Sequence, residues 1–314
     1  MAITANAFTS IEGGSDRKAL NLKVYSGEVL HAFDKKNIGL DLVKVRTISN
    51  GKSAQFVVTG NISDSEVKTH APGDDVSTTD MLDNERVILI EDLQYVSTFV
   101  DNYEEKMAHF EIRGELAKRS GEALAVKIDK QVFETVLAAT QSVGVAAQPD
   151  GFEINNDTIE NGATAEEKGD AIIDTIFAAK AHLESNDVTG EPIFVTDPIN
   201  YYNLVQSAKA VNRDFNGGDN GSIAKGNVIE IAGIKVVMSN QFGKGTAVDV
   251  GGTDKKLQGL LFTSDAVGVV KLMDVSSEAN YIPEKLGTLM TSTYALGMGI
   301  LNPGAAVAIT GGDA

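Results

Sequence analysis

Apolar residues follow two rhythms along this chain, one of strands and one of helices. Val43–Ser49 and Lys52–Thr59 flank Asn50-Gly51, the pair favoured in two-residue turns, and predict a β-hairpin. Arg86–Ile90 is a second extended run that continues towards Tyr95 and Val100. From Tyr103 to about Thr140 the period lengthens. Leu124, Ile128, Val132 and Val136 recur every four residues, and Glu115 and Arg119 form an i,i+4 pair, as on a helix. Unbroken, that helix would span about 57 Å. Gly114 and Gly121 weaken its first half and are the expected bend points, unless the helix ends near Gly114 and restarts.

The second half alternates elements. Thr164 followed by Glu167 reads as a capping box opening a helix whose apolar stripe is Ile172, Ile176, Ala179 and Leu183, with Asn186 as its stop. Pro192–Thr196 reads as a buried strand. Asp197-Pro198 then caps and starts another helix through Tyr201, Leu204 and Val205. Val228–Ile231 and Ile234–Met238 flank Ala232-Gly233 as a short hairpin, between polar, Gly-rich loops at 212–221 and Gly243–Lys256. Strands are expected at Leu260–Thr263, Val267–Val275, Leu289–Leu296 and Ala305–Ile309. Helices and strands in this order indicate an α+β fold.

Between the strands at 52–59 and 86–90, residues 60–85 hold seven acids, one lysine and Ala71-Pro72-Gly73. If the flanking strands pair, this becomes a projecting loop reaching roughly 40 Å with a charged tip. A compact domain has little use for such an excursion, whereas an interlocking subunit does.

Composition narrows the function classes. The 314 residues are 42% hydrophobic, enough for a substantial core, and contain no cysteine, which excludes disulfides, thiolate metal sites and cysteine nucleophiles. A net charge of −17 argues against general nucleic-acid binding. Residues 1–50 carry seven basic and five acidic groups, the pattern of an arm lying on acidic surface or of an ordinary exposed terminus. The first residues lack a basic start followed by an apolar run, so no secretory signal is expected. The segment 287–312 has no charged residue, but its glycines, threonines and Pro303 suit buried strands better than a membrane span.

The search for chemistry returns little. His31, His70, His109 and His182 are scattered. Gly243-Lys244-Gly245-Thr246 resembles part of a phosphate loop without its upstream glycine, because Met238 stands there. Gly297-Met298-Gly299 lacks the third glycine of a dinucleotide fingerprint. Asp214–Asp219 misses calcium-loop spacing, and the pairs Glu104-Glu105 and Asp74-Asp75 read as solvated charge. No catalytic, cofactor or metal residue is expected, and the chain is not expected to be an enzyme.

An ordered set of segments carries a family resemblance: Gly51–Phe56 (GKSAQF), Ala71–Gly73 (APG), Glu85–Leu93 (ERVILIEDL), Arg113–Ala125, Phe194–Pro198 (FVTDP), Gly221–Ile223 (GSI), Gly233–Val237 (GIKVV), Ala266–Asp274 (AVGVVKLMD) and Tyr294–Ala308 (YALGMGILNPGAAVA). In these the chain resembles the major capsid proteins of T-seven-like podoviruses, which share the Hong-Kong-ninety-seven-type capsid fold. Ser276–Lys285, with Pro283, departs from the more basic pattern of that family. The resemblance implies an N-terminal arm over 1–44, an extended loop with flanking strands over 45–100, and a peripheral domain with a long spine helix over 101–149. It further implies an axial domain over 150–265, peripheral return strands over 266–294, and a C-terminal strand over 295–314 returning to the axial domain. Gly51, Lys52, Gln55, Phe56, Ala71, Pro72 and Gly73 become the expected inter-subunit contacts. The implied partners are further copies in hexamers and pentamers, a scaffolding protein, a portal protein, decoration proteins and packaged double-stranded DNA held without sequence-specific binding, with no membrane. An encapsulin-like compartment shell and, from another class, a surface-layer, tail-tube or carbohydrate-binding structural protein are the alternatives.

Overall fold

The computed structural model describes residues 17–59, 83–107, 112–145, 148–207, 230–250 and 252–313, with short stretches at 67–70, 72–73, 75, 78, 221–222 and 227–228. The chain begins with α1 (Arg17–Lys36), β1 (Lys44–Thr47), β2 (Ser53–Thr59), β3 (Asp83–Leu89), β4 (Gln94–Asp101), α2 (Asn102–Met107) and α3 (Ile112–Thr140). There follow β5 (Phe152–Asn155), α4 (Thr158–Asn161), α5 (Ala165–Ser185), β6 (Ile193–Thr196) and α6 (Pro198–Gln206). Short strands β7 (Gly221–Ser222), β8 (Asn227–Val228) and β9 (Glu230–Ile231) lead to β10 (Ile234–Met238) and β11 (Ala247–Val250). The last strands are β12 (Thr253–Phe262), β13 (Val267–Ile282), β14 (Gly287–Ile300) and β15 (Ala306–Asp313).

Two sheets share one helix. A mixed seven-stranded sheet runs β5-β15-β12-β6-β10-β9, with β11 added on β12, and a four-stranded sheet runs β1-β13-β14-β4. The α3 stripe of Leu124, Ile128, Val132 and Val136 packs into one core with Leu260, Phe262, Ala306 and Ala308 of the first sheet and Val269, Met290 and Tyr294 of the second. The opposite face of the seven-stranded sheet, through Phe194, Leu261, Val307 and Ile309, meets Ile172, Ile176 and Leu183 of α5 in a second core. Side chains of a strand alternate between faces, so a sheet covered on both sides needs unbroken apolar runs. That accounts for the uncharged stretch 287–312: its last strand is buried from Ala306 to Gly312.

The local signals for α5 and α6 produce the expected ends. The Thr164 hydroxyl accepts from Glu167 N at 3.2 Å, while the Glu167 carboxylate accepts from Ala163 N at 2.8 Å. Asn186 closes α5. Asp197 accepts from the amides of Ile199 and Asn200 at the start of α6. Ala232 and Gly233, at φ 54° and 73°, form the expected turn between β9 and β10, which pair antiparallel. The loop at 212–220 and the Asp214–Asp219 run lie outside the described residues.

Three expectations are corrected. Asn50-Gly51 does not close a hairpin, because β1 pairs parallel with β13, Lys44 opposite Gly268, and β2 pairs antiparallel with β3, Ser53 opposite Leu89. A local turn preference yields here to the ladder that β13 offers from within the core, and Gly51, at φ 118°, carries the chain between two sheets. Gly243–Lys256 is not a loop throughout: β11 pairs with β12 and buries Val248. Its turn is fixed by Gly252, at φ 88°, whose amide donates to the Asp249 carboxylate at 2.7 Å. The pattern from Tyr103 onwards is shared by two helices, α2 and α3, and α3, at about 44 Å, carries the apolar stripe. Gly114 sits in its first turn, and the helix continues through Gly121.

Gly121 has a packing reason. A Cβ there would lie 2.4 Å from the Val29 carbonyl oxygen and 3.1 Å from the Ala32 Cβ, so α1 crosses α3 at backbone contact. Part of the segment expected as an arm therefore belongs to the chain's own core, with Tyr25, Val29, Phe33, Leu42 and Val43 buried. Asp129 on α3 clasps the chain just beyond α1, accepting from Gly39 N at 2.8 Å and Ile38 N at 3.2 Å. Burial pushes its carboxyl above the usual range despite those bonds. Asp157 is the opposite case: Lys255, which bridges Asp157 and Asp313 at 3.1 and 2.8 Å, and the Gly312 amide hold it low.

Gly121→Ala is expected to lower unfolding stability by about 1–3 kcal/mol through overpacking, against its gain in helix propensity, and to expose α1 to protease. Equal stability in urea would refute the close crossing. Asp129→Ala should lose about 1–3 kcal/mol by orphaning two amides. Asp129→Asn should be neutral or stabilising at pH 7, because a raised folded pKa makes the charged form the burden and stability from this group grows as pH falls. Asp157, with its depressed pKa, contributes stability above its unfolded pKa that is lost as pH falls through the folded one. Denaturation curves between pH 7 and pH 3 should therefore flatten in Asp157→Asn and keep their acid limb in Asp129→Asn.

Candidate assembly surfaces

The ribbon β2–β3 has one face on the body and one in solvent. Ala54 and Ile88 are buried with Val270 and Leu301, and Phe56 and Ile90 pack partly against them. On the other face Val57 is 78% exposed, and Val87 and Leu89 are exposed beside it. The apolar exposure continues through Leu93, Tyr95, Phe99, Tyr103 and Met107, along β4, which is an edge of the four-stranded sheet, and α2. A run of large apolar side chains across three successive elements exceeds scattered surface hydrophobics and marks an interaction surface.

Glycines let the ribbon cross the sheet. A Cβ on Gly297 would lie 2.2 Å from the Leu89 carbonyl oxygen, and one on Gly299 2.8 Å from Ile88. Glu91 N donates to Leu296 O at 3.0 Å. The Gly297-Met298-Gly299 motif thus serves a backbone crossing.

The expected contact residues are distributed along this ribbon. Gly51, Lys52 and Gln55 are exposed and Phe56 is half-buried. Lys52 O accepts from Ile90 N at 2.9 Å, closing the ribbon base. Gln55 O accepts from Arg46 Nη1 at 2.8 Å, and the Arg46 guanidinium stands 5.7 Å from the Phe56 ring centre, so Phe56 is partly engaged within its own chain. Pro72 and Gly73 are exposed in a turn, with Gly73 at φ 100°. Ala71 lies outside the described residues. The exposed triad Val57, Val87 and Leu89 was legible as apolar residues at both parities of a ribbon with a single covered face, a signal that sequence reasoning passed over.

The chemical candidates have structural partners. Lys244 of the Gly-Lys-Gly-Thr segment pairs with Asp197 at 3.0 Å and ties its loop to the cap of α6. His182 stacks on Phe152, ring centres 3.7 Å apart, with Nε2 3.0 Å from the Asn186 side-chain amide; burial pushes its pKa down. His31 and His70 are exposed. Among the described residues no three His, Asp or Glu side chains gather to hold a metal ion, and no helix is long and apolar enough to cross a membrane.

Comparison with known proteins falls on the same features. The family model described as "Gp10A-like: Major capsid protein" matches residues 55–310, from the ribbon to the last strand. The major capsid protein of Escherichia phage T7 is 29% identical, covering 97% of this chain and 95% of its own length. The capsid structure of the cyanophage P-SCSP1u superposes with a TM-score of 0.75 at 31% identity over the whole of both chains. The mature capsid of bacteriophage PhiM1 reaches 0.70 at 18% identity over 87% of this chain and 86% of its own, which supports the shared α+β fold. An exposed apolar ribbon on a two-sheet body, with the family model running through both, shows that this chain belongs to the Gp10A-like major capsid protein family, structural proteins of the phage virion and not enzymes.

Proposed function

We propose that copies of this chain join as hexamers and pentamers that close into an icosahedral shell around phage double-stranded DNA, each β2–β3 ribbon lying on a neighbouring copy. The observation that carries this is the exposed face of Val57, Val87 and Leu89, which no described residue of the single chain covers. A two-stranded ribbon is marginal alone, and covering its outer face on a neighbour completes the burial that the subunit lacks. Each contact is weak, and ring closure followed by shell closure makes later contacts effectively intramolecular.

In this reading the seven-stranded sheet with α5 and α6 forms the axial domain, and α3 with the four-stranded sheet forms the peripheral domain. The joint that lets one subunit sit in both ring sizes lies at the ribbon base near Gly51 and at the start of α3 near Gly114. The close packing of Gly121 on α1 favours these two places over Gly121 in this reading. The excess of 44 acidic over 27 basic residues suits a wall that encloses DNA without binding phosphate tightly. A scaffolding protein, a portal protein and decoration proteins are the further partners of such a shell.

Val57→Asp and Leu89→Asp test the reading, because both side chains face solvent in the subunit. Their unfolding midpoints should stay within about 0.5 kcal/mol of wild type, while closed shells disappear from electron micrographs and sedimentation profiles. Wild-type shell yield from both variants would remove the ribbon from the assembly contact.

A further inference from the structure

Among the described residues the two larger sheets end in β1, β4, β5 and β9, with β11 as a branch on β12. Most of these edges carry a charge that discourages further pairing: Lys44 and Arg46 on β1, Glu153 on β5, Glu230 on β9 and Asp249 on β11. β4 is different, because Gln94–Val100 holds neither a charge nor a proline. Its open side follows from the ladder. β4 pairs antiparallel with β14 without a register break, Tyr95 opposite Thr293 and Asp101 opposite Gly287. At the next step Asn102 N donates to Leu286 O at 3.1 Å. Backbone groups of an antiparallel strand alternate between its two sides. Val96, Thr98 and Val100 therefore bond β14, and Tyr95, Ser97 and Phe99 turn their N–H and C=O groups away from it. The side chains of these last three are exposed as well. Outward backbone groups beside two exposed aromatic rings are a template for one more strand.

A segment that fits must be extended, uncharged and within reach. Residues 2–11, AITANAFTSI, lie outside the described residues and contain no charged side chain. Ile3, Ala5, Ala7 and Ile11 alternate with Thr4, Asn6 and Ser10, the period of a strand with one covered face, and Phe8 falls on the other face. The stretches 60–66 and 208–220, by contrast, carry charges. Reach follows from the helix crossing. Val29 and Ala32 of α1 pack on Gly121 of α3, and Ile38 and Gly39 just beyond α1 meet Asp129, so the two helices run in the same direction. Arg17 stands about 18 Å before Val29, and Ile112 about 14 Å before Gly121. The start of α1 thus lies beside the start of α3, towards the end where β4 passes into α2. Residues 12–16, which include Gly13-Gly14, add about 17 Å of extended chain.

We propose that residues 2–11 of the same chain add to the open edge of β4 as a fifth strand, parallel to it. The direction follows from the reach, since Ile11 is tethered at the end where β4 finishes. The outward amides and carbonyls of Tyr95, Ser97 and Phe99 gain backbone partners. The alternating apolar positions of the segment lie beside half-buried Val96, and Phe8 joins the face of Tyr95 and Phe99. The occupant belongs to the subunit itself, so the inference stands apart from the shell reading.

Residue-level hydrogen exchange on the unassembled chain tests this, the full chain being compared with one lacking residues 2–11. The amides of Tyr95, Ser97 and Phe99 are expected to exchange about tenfold more slowly in the full chain, the worth of one net backbone hydrogen bond. Those of Val96, Thr98 and Val100 are expected not to differ. Ala5→Pro with Asn6→Pro removes two adjacent amides of the segment, one on each side, and should bring the three outward amides to the rate of the truncated chain. Ser97→Pro blocks the edge itself: its amide faces away from β14, so the ladder keeps its bonds, and the protection of Phe99 should vanish. Dilution should leave the protection unchanged, as for an intramolecular contact. Protection that fades on dilution, or that appears in the truncated chain when full chain is mixed in, assigns the segment to a second copy and overturns the proposal. Equal exchange of the three amides in the full and truncated chains overturns it too. Failure of closed shells to form would remove the assembly reading and leave this strand in place.

Discussion

The two sheets of this protein are held at a fixed relation because both bury side chains against the same stripe of α3. Leu124, Ile128, Val132 and Val136 meet Phe262 and Ala308 from one sheet and Met290 and Tyr294 from the other. Burial of a side chain of this size contributes about 1.5–3 kcal/mol, and close packing leaves such a helix little freedom to slide. Neither sheet reorients without opening the core that serves its counterpart. The direction in which the ribbon leaves the body follows from this single shared surface, since the ribbon base rests on β14, which α3 backs.

The ribbon itself obeys a different balance. Its inner face, through Ala54 and Ile88, belongs to a small core of its own, while its outer face leaves Val57, Val87 and Leu89 in solvent. Hydrophobic burial is non-directional and grows with the apolar area removed from water, so the ribbon is fixed at its root and unsatisfied along its length. The body has two cores of its own, whereas the ribbon, β4 and α2 leave large apolar side chains exposed.

Much of this was legible in the sequence where a local signal and the tertiary demand agreed. Thr164 with Glu167, Asp197 with Pro198 and Ala232-Gly233 each satisfy backbone groups within a few residues, and their elements begin or turn where those residues stand. Reading failed where a distant strand decided the matter. Asn50-Gly51 has the composition of a tight turn, but β13 takes the ladder of β1. The strand at Ala247–Val250 hides among glycines and lysines and is recruited by β12. The helix at Arg17–Lys36 shows no simple apolar period, and it packs against a glycine more than 80 positions away, which no local window contains. The outward apolar residues of the ribbon, by contrast, carried a readable pattern.

The crossing at Gly297 and Gly299 has a mechanical meaning. Where α3 meets the two sheets, side chains lie between backbones and adjust by changing rotamer. Here the carbonyl of Leu89 rests almost on the Cα of Gly297, with no such cushion between. A twist of the four-stranded sheet is therefore passed to the ribbon as a rigid rotation, and a few degrees at this fulcrum become a displacement of about 1–2 Å at the far end of its seven-residue strands, roughly 23 Å away.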